Sequence, residues 1–417
     1  MTPGSTAYPA SVDYDVAKVR SHFPALREGA AHFDAPGGTQ TPDVVAQAVA
    51  DTLTSAIANR GFVTAAERRA EEIVGSCRAA LGDLLGADPG AIIFGRSATQ
   101  LTYDLSRAMA KEWGPGDEIV VSRLDHDANV RPWVQAAEAA GATVRWAGFD
   151  PETGEQAVSE FEAVVTERTK LVAMTAASNL IGTKPPICHT AELAHSVGAV
   201  LWVDGVHGTA HESVDIAALG ADFWSCSPYK FLGPHCGVVA AASRELLEPL
   251  AIDKLLPATS DVPERFEFGT LPYELMAGTT ACVDFLATLG GSGDGSSHRR
   301  DRILTGFAAM HAHEMRLRER MEAGIRALPG VRVFSNAASR TPTLLFTLEG
   351  HDDQEVRRAL AERKVNAPAG SFYALECSRH LGLGDTGAIR VGLAPYTDDE
   401  DVDRLLAGLQ AVVETTA

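Results

Sequence analysis

The alternation of short apolar runs with helical patterns is the feature that most constrains the fold of this chain. Between about residues 30 and 250, apolar runs are separated by amphipathic segments such as 99–113 and 189–198. Strands are predicted at 91–95, 117–122, 143–148, 170–176, 199–204, 222–226 and 237–242. Several are almost wholly apolar, which is typical of parallel strands covered on both faces. The pattern therefore predicts a large, doubly wound α/β domain with a mainly parallel sheet.

The C-terminal part of the chain has a different pattern. A long charged segment at 303–328 reads as a helix, and it contains the run His-Ala-His-Glu at 311–314. This run lacks the H-E-x-x-H spacing of a zinc site, so we expect it on the solvated face of the helix. Strands are then predicted at 341–350 and 388–397, with a helix at 353–365. This part is predicted to be a smaller α+β domain.

The length of 417 residues exceeds what one compact core usually accommodates, so two domains are expected. We predict that an N-terminal arm and helix at 1–30 packs with the small domain. The first twelve or so residues of this arm are expected to be disordered. The large domain is predicted at 31–285 and the small domain at 300–417. The Gly/Ser-rich run at 289–301 reads as a flexible connection.

Composition excludes several classes of partner. The chain has 36 Lys and Arg against 55 Asp and Glu, a net charge of −19, which argues against nucleic acids and anionic membranes. It contains no apolar run long enough to span a bilayer, and its N-terminus lacks the pattern of a secretory signal. Its six cysteines form no C-x-x-C pair and no zinc pattern. We therefore expect a cytoplasmic protein with free thiols and no metal.

Polar residues follow the apolar runs, at the point where each predicted strand ends. In an open α/β sheet, ligands bind at the carboxyl ends of the strands, so these residues indicate the rim of an active site. The runs are followed, in chain order, by "RSATQ", "RLDHDAN", "ASNLIGT", "DGVHG" and "SPYK".

These residue types together suit one cofactor. "RSATQ" before a helix offers small side chains and free N–H groups for a phosphate. Asp204 ends a buried strand and needs a cationic partner such as a protonated pyridine nitrogen, while His126 could stack on a heterocycle. Lys230 could form a Schiff base with an aldehyde and later move protons. Alone, each has a simpler explanation, as a turn former, a turn histidine or a solvated lysine. Their joint placement at strand ends indicates a pyridoxal phosphate site.

These motifs resemble those of the class V aminotransferases, the fold-type I pyridoxal phosphate enzymes that include cysteine desulfurases, selenocysteine lyases, isopenicillin N epimerase and kynureninase. The resemblance extends from "HFDAPGGTQTP" to "IRVGLAPYT" and is strongest to the cysteine desulfurase-like branch. It rests on the ordered set "RSATQ", "LDHDANVRPW", "ASNLIGT", "VDGVH" and "SPYKFLGPH".

The resemblance implies a role for each matching residue. Lys230 matches the Schiff-base lysine, Asp204 the partner of the pyridine nitrogen, and His126 the stacking histidine. The remaining matches are Ala98, Thr99 and Ser227 at the phosphate, Asn179 and His207 near the substrate or the cofactor O3′, and Arg390 at the substrate carboxylate. "FEFGT" at 266–270 matches the segment through which Thr270 of the partner subunit reaches the phosphate, so the resemblance implies a homodimer with the active site at the subunit interface.

Two departures from the family pattern bear on the chemistry. Tyr229 stands before the lysine, where well-known desulfurases have histidine. The loop that carries the sulfur-accepting cysteine in desulfurases corresponds here to "NAPAGSFYALE", which has no cysteine and places Tyr373 near the expected position. Cys377 follows four residues later. We expect a helix to begin around Phe372 and to make Cys377 a packed, inert thiol.

We therefore predict an enzyme that acts on an amino acid by desulfurase-like or C–S lyase chemistry, removing a sulfur substituent from Cβ after Cα deprotonation. Transamination or epimerisation on the same fold is an alternative, because all three begin at the same carbanion. A catalytically silent binding or regulatory protein is an alternative of another class. The combination of Lys230, Asp204 and His126 argues against it.

Overall fold

The strands of the protein form three sheets. The computed structural model describes residues 14–291 and 298–416, so the predicted N-terminal tip and the centre of the predicted Gly/Ser connection lie outside the described residues. The strands are β1 (Ala31–His32), β2 (Ile92–Gly95), β3 (Glu118–Ser122), β4 (Thr143–Ala147), β5 (Thr169–Thr175), β6 (Val200–Asp204), β7 (Phe223–Cys226), β8 (Gly237–Ala241), β9 (Val331–Val333), β10 (Thr343–Leu348), β11 (Val365–Asn366), β12 (Ala369–Gly370) and β13 (Ala388–Gly392).

Helices connect most of these strands. They are α1 (Val16–Ser21), α2 (Asp43–Thr54), α3 (Ala65–Leu85), α4 (Ala98–Met109), α5 (Arg131–Ala140), α6 (Val158–Glu162), α7 (Ile187–Ser196), α8 (Ile216–Leu219), α9 (Tyr273–Leu286), α10 (Arg299–Arg326), α11 (Asp353–Glu362), α12 (Leu375–His380) and α13 (Asp399–Thr416). No helix of the described residues has the length and apolar character needed to cross a membrane.

The main sheet has seven strands in the order β2-β8-β7-β6-β5-β3-β4. The pairs among β4, β3, β5, β6 and β7 are parallel, whereas β8 runs antiparallel to both of its neighbours. All seven predicted strands of this region are present, and the mainly parallel α/β sheet is confirmed. The register pairs Thr175 with Asp204 and Asp204 with Ser225. The carboxyl ends of three adjacent strands therefore meet at one edge.

The apolar strands are explained by helices on both faces of the sheet. Along β3, Ile119 and Val121 lie in one hydrophobic cluster with Leu101 of α4 and Trp133 of α5. Val120, between them, lies in the cluster formed with helices of the opposite face. Successive side chains of a strand point to opposite faces. A strand that is buried on both faces is therefore apolar at nearly every position and shows no alternation of apolar and polar residues.

The C-terminal region contains a separate antiparallel sheet, in the order β12-β13-β10-β9. Apolar residues of this sheet form their own core with α10, α11 and α13. The short strand β1 pairs with β11, so the beginning of the described chain contacts this region. The observed elements are those of an α+β unit, and the domain boundaries at 31–285 and 300–417 stay a prediction.

The position of His-Ala-His-Glu in α10 corrects one expectation. His313 is 8% exposed and Glu314 is 1% exposed, so this part of the helix is not the solvated face. His211 Nδ1 lies 2.9 Å from Glu314 Oε2, and Tyr14 stacks on the His313 ring at 4.7 Å. Through these contacts α10 packs against the turn that follows β6 and against the start of the described chain. Within residues 14–291 and 298–416 no group of three or more His, Cys, Asp or Glu side chains could hold a metal ion.

Candidate active site

Two adjoining cavities lie at the carboxyl edge of the main sheet. The outer cavity, of about 570 Å³, opens between this edge, Arg390 on β13 and the loop that contains Phe372. The inner cavity, of about 80 Å³, lies directly above the strand ends. Both are lined by a shared set of residues: Thr99, His126, Ala128, Asn179, Tyr229 and Lys230. The structure thus brings together most of the residues that the sequence singles out.

Lys230 stands between the two cavities. It follows β7 in a short 3-10 turn, Pro228–Lys230, and is only 9% exposed. Its Nζ donates a hydrogen bond to the carbonyl oxygen of Pro36. Burial, with the nearby positive charge of Arg390, lowers the pKa of Lys230 to about 7. A lysine of this kind is available as a neutral amine near pH 7, as a nucleophile or a proton acceptor must be.

Asp204 ends β6 and lines the inner cavity. Its Oδ1 accepts a hydrogen bond from the backbone N–H of Val206 at 2.8 Å. No lysine or arginine of the described residues lies within ion-pair distance of it. Burial raises the pKa of Asp204 to about 6, against the opposing effects of the Val206 N–H and the Lys230 charge. The buried carboxylate has room beside it for a cationic partner, which would stabilise its ionised form.

A buried network supports the loop that carries His126. Asp125 accepts hydrogen bonds from Asn129 Nδ2 and, at 3.0 Å, from the backbone N–H of Thr175. His126 Nδ1 accepts the backbone N–H of Ala128 at 3.0 Å, so the neutral ring carries its proton on Nε2. Burial lowers the pKa of His126 to about 4, and the charges of Lys230 and Arg390 contribute. The ring is therefore neutral near pH 7.

The start of α4 forms one wall of the inner cavity. Ser97 caps the helix by accepting the backbone N–H of Gln100, and Ala98 and Thr99 occupy its first turn. Ser97, Ala98 and Thr99 line the inner cavity together with buried Ser227. A Cβ at Gly237 would collide with the backbone of Ser97 and Ala98, so only glycine allows β8 to approach the helix this closely. The free N–H groups and hydroxyls of this wall suit a phosphate group.

Two side chains in the cavities have unpaired polar atoms. Asn179 Oδ1 and His207 Nδ1 are buried and have no hydrogen-bond partner in the part of the chain that the structure describes, and both residues line the inner cavity. The other ring nitrogen of His207 lies 2.9 Å from Thr341 Oγ1, and the Nδ2 of Asn179 donates to the carbonyl oxygen of Phe372 at 3.0 Å. Buried polar atoms are nearly always paired, so these orphans indicate a polar ligand.

Arg390 forms the far side of the outer cavity, 1% exposed on β13. Its NH2 donates to Asp34 Oδ1 at 2.8 Å, and its NH1 donates to the carbonyl oxygen of Asn179 at 3.0 Å. The buried Nε has no partner. The guanidinium carbon lies 3.6 Å from the centre of the Phe372 ring. Burial lowers the pKa of Arg390 to about 10, and the group stays charged near pH 7.

Thr270 is not brought to these cavities. It is exposed and lines a separate cavity with Arg96, His235 and Phe268, on the other side of the start of α4. Among the residues predicted for the site, Thr270 is the one that lines neither the inner nor the outer cavity.

The loop before α12 differs from the predicted helical start. Phe372 and Tyr373 have φ angles of 51° and 60°, and the helix begins only at Leu375. Their left-handed conformation is unfavourable for non-glycine residues and needs support from tertiary contacts. Asp127 N donates to the carbonyl oxygen of Tyr373 at 2.7 Å, and the Tyr373 ring stacks on His126 at 5.5 Å. The tyrosine covers one face of the histidine and remains 76% exposed at the mouth of the outer cavity.

Cys377 is packed, as expected from the sequence. Its side chain is 0% exposed in a cluster with Leu180, Leu345 and Leu381, and Phe372 packs against this cluster. Burial raises the pKa of the Cys377 thiol. All six cysteines lie in the described part of the chain and are unpaired, and none lines the outer or inner cavity.

Comparison with known proteins identifies the family. The family described as Aminotransferase class-V matches residues 31–405. The chain belongs to the class V aminotransferases. An uncharacterized protein of Mycobacterium tuberculosis is 32% identical to this class V aminotransferase over 401 residues, which are 96% of this chain and 99% of that protein. The aminotransferase-like protein FGM3 of Gibberella zeae is 28% identical and covers 97% of this chain and 100% of its own length.

A solved structure agrees with this assignment. The cysteine desulfurase CsdA from Escherichia coli is 25% identical to the class V aminotransferase described here, with a TM-score of 0.85. The match covers 97% of this chain and 99% of that one. The fold-type I architecture expected from the sequence is thus confirmed. Membership of the family makes the protein an enzyme with pyridoxal phosphate as its cofactor.

The site of the class V aminotransferase fits that cofactor. The wall formed by Ser97 and Thr99 offers a place for the phosphate, and Asp204 lacks the cation that a pyridine nitrogen would supply. The orphan atoms of Asn179 and His207 offer hydrogen bonds to a polar ring substituent. Lys230 lies within the same cavity wall.

The sequence patterns of this class V aminotransferase indicate no role for Asp34 or Phe372 in the site. Asp34 lies in "HFDAPGG", and the only local signal is an acidic residue shortly before two glycines. Its contact with Arg390 spans 356 positions of the chain, so no local pattern reveals it.

Proposed function

We propose that the protein is a pyridoxal phosphate enzyme of the desulfurase-like branch that removes a sulfur substituent from Cβ of an amino acid by direct elimination. The observation that carries this proposal is the absence of cysteine from the two cavities. Cys377 is fully buried in an apolar cluster, and the loop position near the cavity mouth holds Tyr373. A thiol that accepts sulfur must be accessible and readily ionised. The site therefore lacks the group that an enzyme-bound persulfide requires.

The residues of the inner cavity would hold the cofactor. Ser97, Ala98, Thr99 and Ser227 would bind its phosphate, Asp204 would pair with its ring nitrogen, and His126 would stack on the ring. Asn179 and His207 would form hydrogen bonds with its O3′ oxygen. When bound, pyridoxal phosphate supplies an electron sink for the bond broken at Cα.

Lys230 is the residue that we propose for covalent attachment and for proton transfer. Its Nζ lies at the junction of the cavities, where it can reach both the cofactor and the substrate. A pKa near 7 lets the same group accept a proton from Cα and return it, since both protonation states are populated near neutral pH. The low pKa arises from burial and from Arg390, so the fold itself prepares the base.

Arg390 is proposed to bind the substrate carboxylate. It presents a planar, charged group to the outer cavity, with Nε still unpaired. Tyr229 and Phe372 line the same cavity, so a substrate side chain would meet aromatic surfaces. Tyr373 at the mouth would limit access of water to the reacting atoms.

Transamination is a second candidate, favoured by the same missing cysteine. If no sulfur is removed, the site needs no sulfur acceptor. The amino group would instead pass to the cofactor and then to a second α-keto acid, which leaves the first amino acid as its keto acid. We further propose a cytoplasmic homodimer in which Thr270 of the partner subunit completes the phosphate site. Support comes from the exposure of Thr270 beside exposed Phe268, away from the cavities of its own chain.

Product analysis with a panel of amino acids separates these functions. Cysteine, cystine and selenocysteine are offered together with amino acids that lack sulfur. Direct elimination, followed by hydrolysis, predicts pyruvate, ammonia and a released sulfur or selenium species from the first group. Alkylation and intact-mass measurement after substrate addition should show no persulfide on any cysteine.

Formation of a keto acid from amino acids that have no leaving group at Cβ, with an added α-keto acid converted into its amino acid, would establish transamination instead. An inverted stereocentre with no loss of atoms would indicate epimerisation. Alanine with a persulfide on Cys377 would contradict the proposal and show a desulfurase mechanism.

A further inference from the structure

Arg390 is already engaged by an acidic side chain of its own chain. Asp34 Oδ1 lies 2.8 Å from Arg390 NH2, and the carbonyl oxygen of Asn179 accepts a hydrogen bond from NH1. Among the described residues Nε is the guanidinium nitrogen without a hydrogen-bond partner, and NH1 and NH2 each carry a second N–H. A substrate carboxylate that forms two parallel hydrogen bonds with Nε and NH2 would come against the Asp34 carboxylate on NH2, and the repulsion between these two like charges favours displacement of Asp34.

The position of Asp34 is built into the loop that follows β1. The backbone N–H groups of Gly37 and Gly38 donate to the carbonyl oxygen of Asp34 at 2.8 and 3.0 Å. A Cβ at Gly37 would collide with the Asp34 carboxylate, so glycine leaves the space that this side chain occupies. Asp34 also forms a bridge to Gly392 on the strand that carries Arg390. These backbone contacts hold the main chain of Asp34 beside the strand that carries Arg390.

The two partners differ in exposure. The Arg390 side chain is 1% exposed, whereas that of Asp34 is 48% exposed. The guanidinium is also held by the ring of Phe372 at 3.6 Å. The arginine is therefore fixed, while the carboxylate borders open space in the outer cavity and can exchange partners. Asp34 and Lys230 line that same cavity, and the charge of Asp34 acts on Lys230.

We propose that Asp34 and Arg390 form an exchange site for the zwitterionic end of an α-amino acid. The substrate carboxylate replaces Asp34 on Arg390, and the released Asp34 receives the α-ammonium group. A zwitterion thus meets one fixed cation and one available anion, so no charge is left without a partner. This inference rests on the proposed amino-acid substrate and identifies Asp34 as the residue that recognises its amine.

The exchange also places the amine beside the reacting lysine. A carboxylic acid without an amine would displace Asp34 but give it no new partner. Such a ligand leaves the half-buried carboxylate unpaired and should bind more weakly. The site would therefore discriminate α-amino acids from keto acids and simple carboxylates before any chemistry occurs.

A pair of unreactive ligands of equal shape tests this proposal. N,N-dimethylglycine carries a carboxylate and an ammonium group, but as a tertiary amine it cannot form a covalent bond with the cofactor aldehyde. Isovalerate has the same shape with carbon in place of nitrogen. Calorimetric titration of the enzyme with its cofactor gives both dissociation constants without any turnover. Wild type, Asp34→Asn and Arg390→Gln are compared, and thermal unfolding checks that each variant is folded.

We expect wild type to bind N,N-dimethylglycine at least about fivefold more tightly than isovalerate, as one ion pair allows. Asp34→Asn should bind isovalerate about fivefold more tightly than wild type, since the competing carboxylate is gone. The preference for N,N-dimethylglycine should shrink to about twofold or less in this variant. Arg390→Gln should show no measurable binding of either ligand.

Three results would overturn the inference. They are an unchanged preference in Asp34→Asn, weaker binding of isovalerate by Asp34→Asn, and failure of wild type to bind either ligand. Binding that survives in Arg390→Gln would place the ligands elsewhere and would also count against it. Because no turnover is measured, these outcomes are independent of which reaction the product analysis finds.

Discussion

Replacing Asp204 by asparagine should make the cofactor-free enzyme more stable and the cofactor less tightly bound. In the free protein the Asp204 carboxylate is 7% exposed, with one backbone hydrogen bond and no cation at ion-pair distance among the described residues. Its pKa is raised to about 6 from the model-compound value of 3.8. Asparagine keeps an oxygen to accept the Val206 N–H and removes the charge. The carboxylate thus destabilises the free fold and is useful only when the cofactor is bound.

The raised pKa sets the size and the pH dependence of this effect. Above pH 6 the folded protein must hold a carboxylate that the unfolded chain ionises more easily, and the difference costs about 3 kcal/mol. As pH falls, the folded protein takes up a proton first, so the cost decreases to about half at pH 5 and vanishes below about pH 4. Asp204→Asn should therefore raise the free energy of unfolding by up to about 3 kcal/mol at pH 8 and by about half of that at pH 5.

Urea unfolding of the cofactor-free proteins at pH 8 and pH 5 measures this difference. Asp253→Asn is the matched control, because the Asp253 carboxylate is 93% exposed in a surface pair with Lys111, and it should change stability little at either pH. Titration with pyridoxal phosphate should show at least tenfold weaker binding to Asp204→Asn, about the loss of one charged hydrogen bond. If Asp204→Asn is no more stable than wild type at pH 8, or gains equally at both pH values, the reasoning is wrong.

Three further variants test other parts of the site. Cys377→Ala should keep turnover within about threefold of wild type. It should lower the free energy of unfolding by about 1 kcal/mol, because removal of the buried sulfur leaves a small void. A folded variant without activity would contradict the structural role of Cys377. Arg390→Lys should raise the KM for amino acids at least about tenfold, since a lysine cannot form the planar fork; an unchanged KM would exclude carboxylate binding there. Gly237→Ala should weaken pyridoxal phosphate binding, because the added Cβ displaces the start of α4. Gly75→Ala is the control: the space around its Cβ is open, so it should leave cofactor binding unchanged and raise the free energy of unfolding by at most about 1 kcal/mol. Equal effects of the two variants in a cofactor titration would argue against the helix contact.

The large sheet was predictable because each of its strands is a short run with its own turn signals. The boundaries agree with the structure within one or two residues, as with the prediction 117–122 for Glu118–Ser122. The direction of β8 was not predictable in the same way. A strand covered on both faces is apolar whether it runs parallel or antiparallel, so its composition carries no signal of direction.

The site residues at strand ends could be predicted, whereas their partners could not. Lys230, Asp204 and His126 follow apolar runs, and parallel strands bring such positions to one edge. The Asp34–Arg390 pair depends on how the loop after β1 packs on β13, which no local pattern describes. The left-handed backbone at Phe372 and Tyr373 is likewise imposed by contacts with Asp127 and Asn179 and is not favoured by the residues themselves.

The error at residues 311–314 has a similar cause. The run lacks the spacing of a zinc site and lies in a segment rich in charged residues, so its sequence is typical of a solvated helix face. Its burial depends on His211, which lies 103 positions away and pairs with Glu314. Periodicity alone cannot identify a buried polar pair when the partner comes from another element.

The central claim is that Lys230, at the junction of the two cavities, binds the cofactor covalently. Reduction of the enzyme with borohydride, followed by protease digestion and peptide mass mapping, tests it most directly. The account predicts a pyridoxyl group on the peptide that contains Lys230, and loss of that label in Lys230→Ala while the variant remains folded. A label on another lysine, or an unlabelled Lys230 in an enzyme that had bound the cofactor, would contradict it.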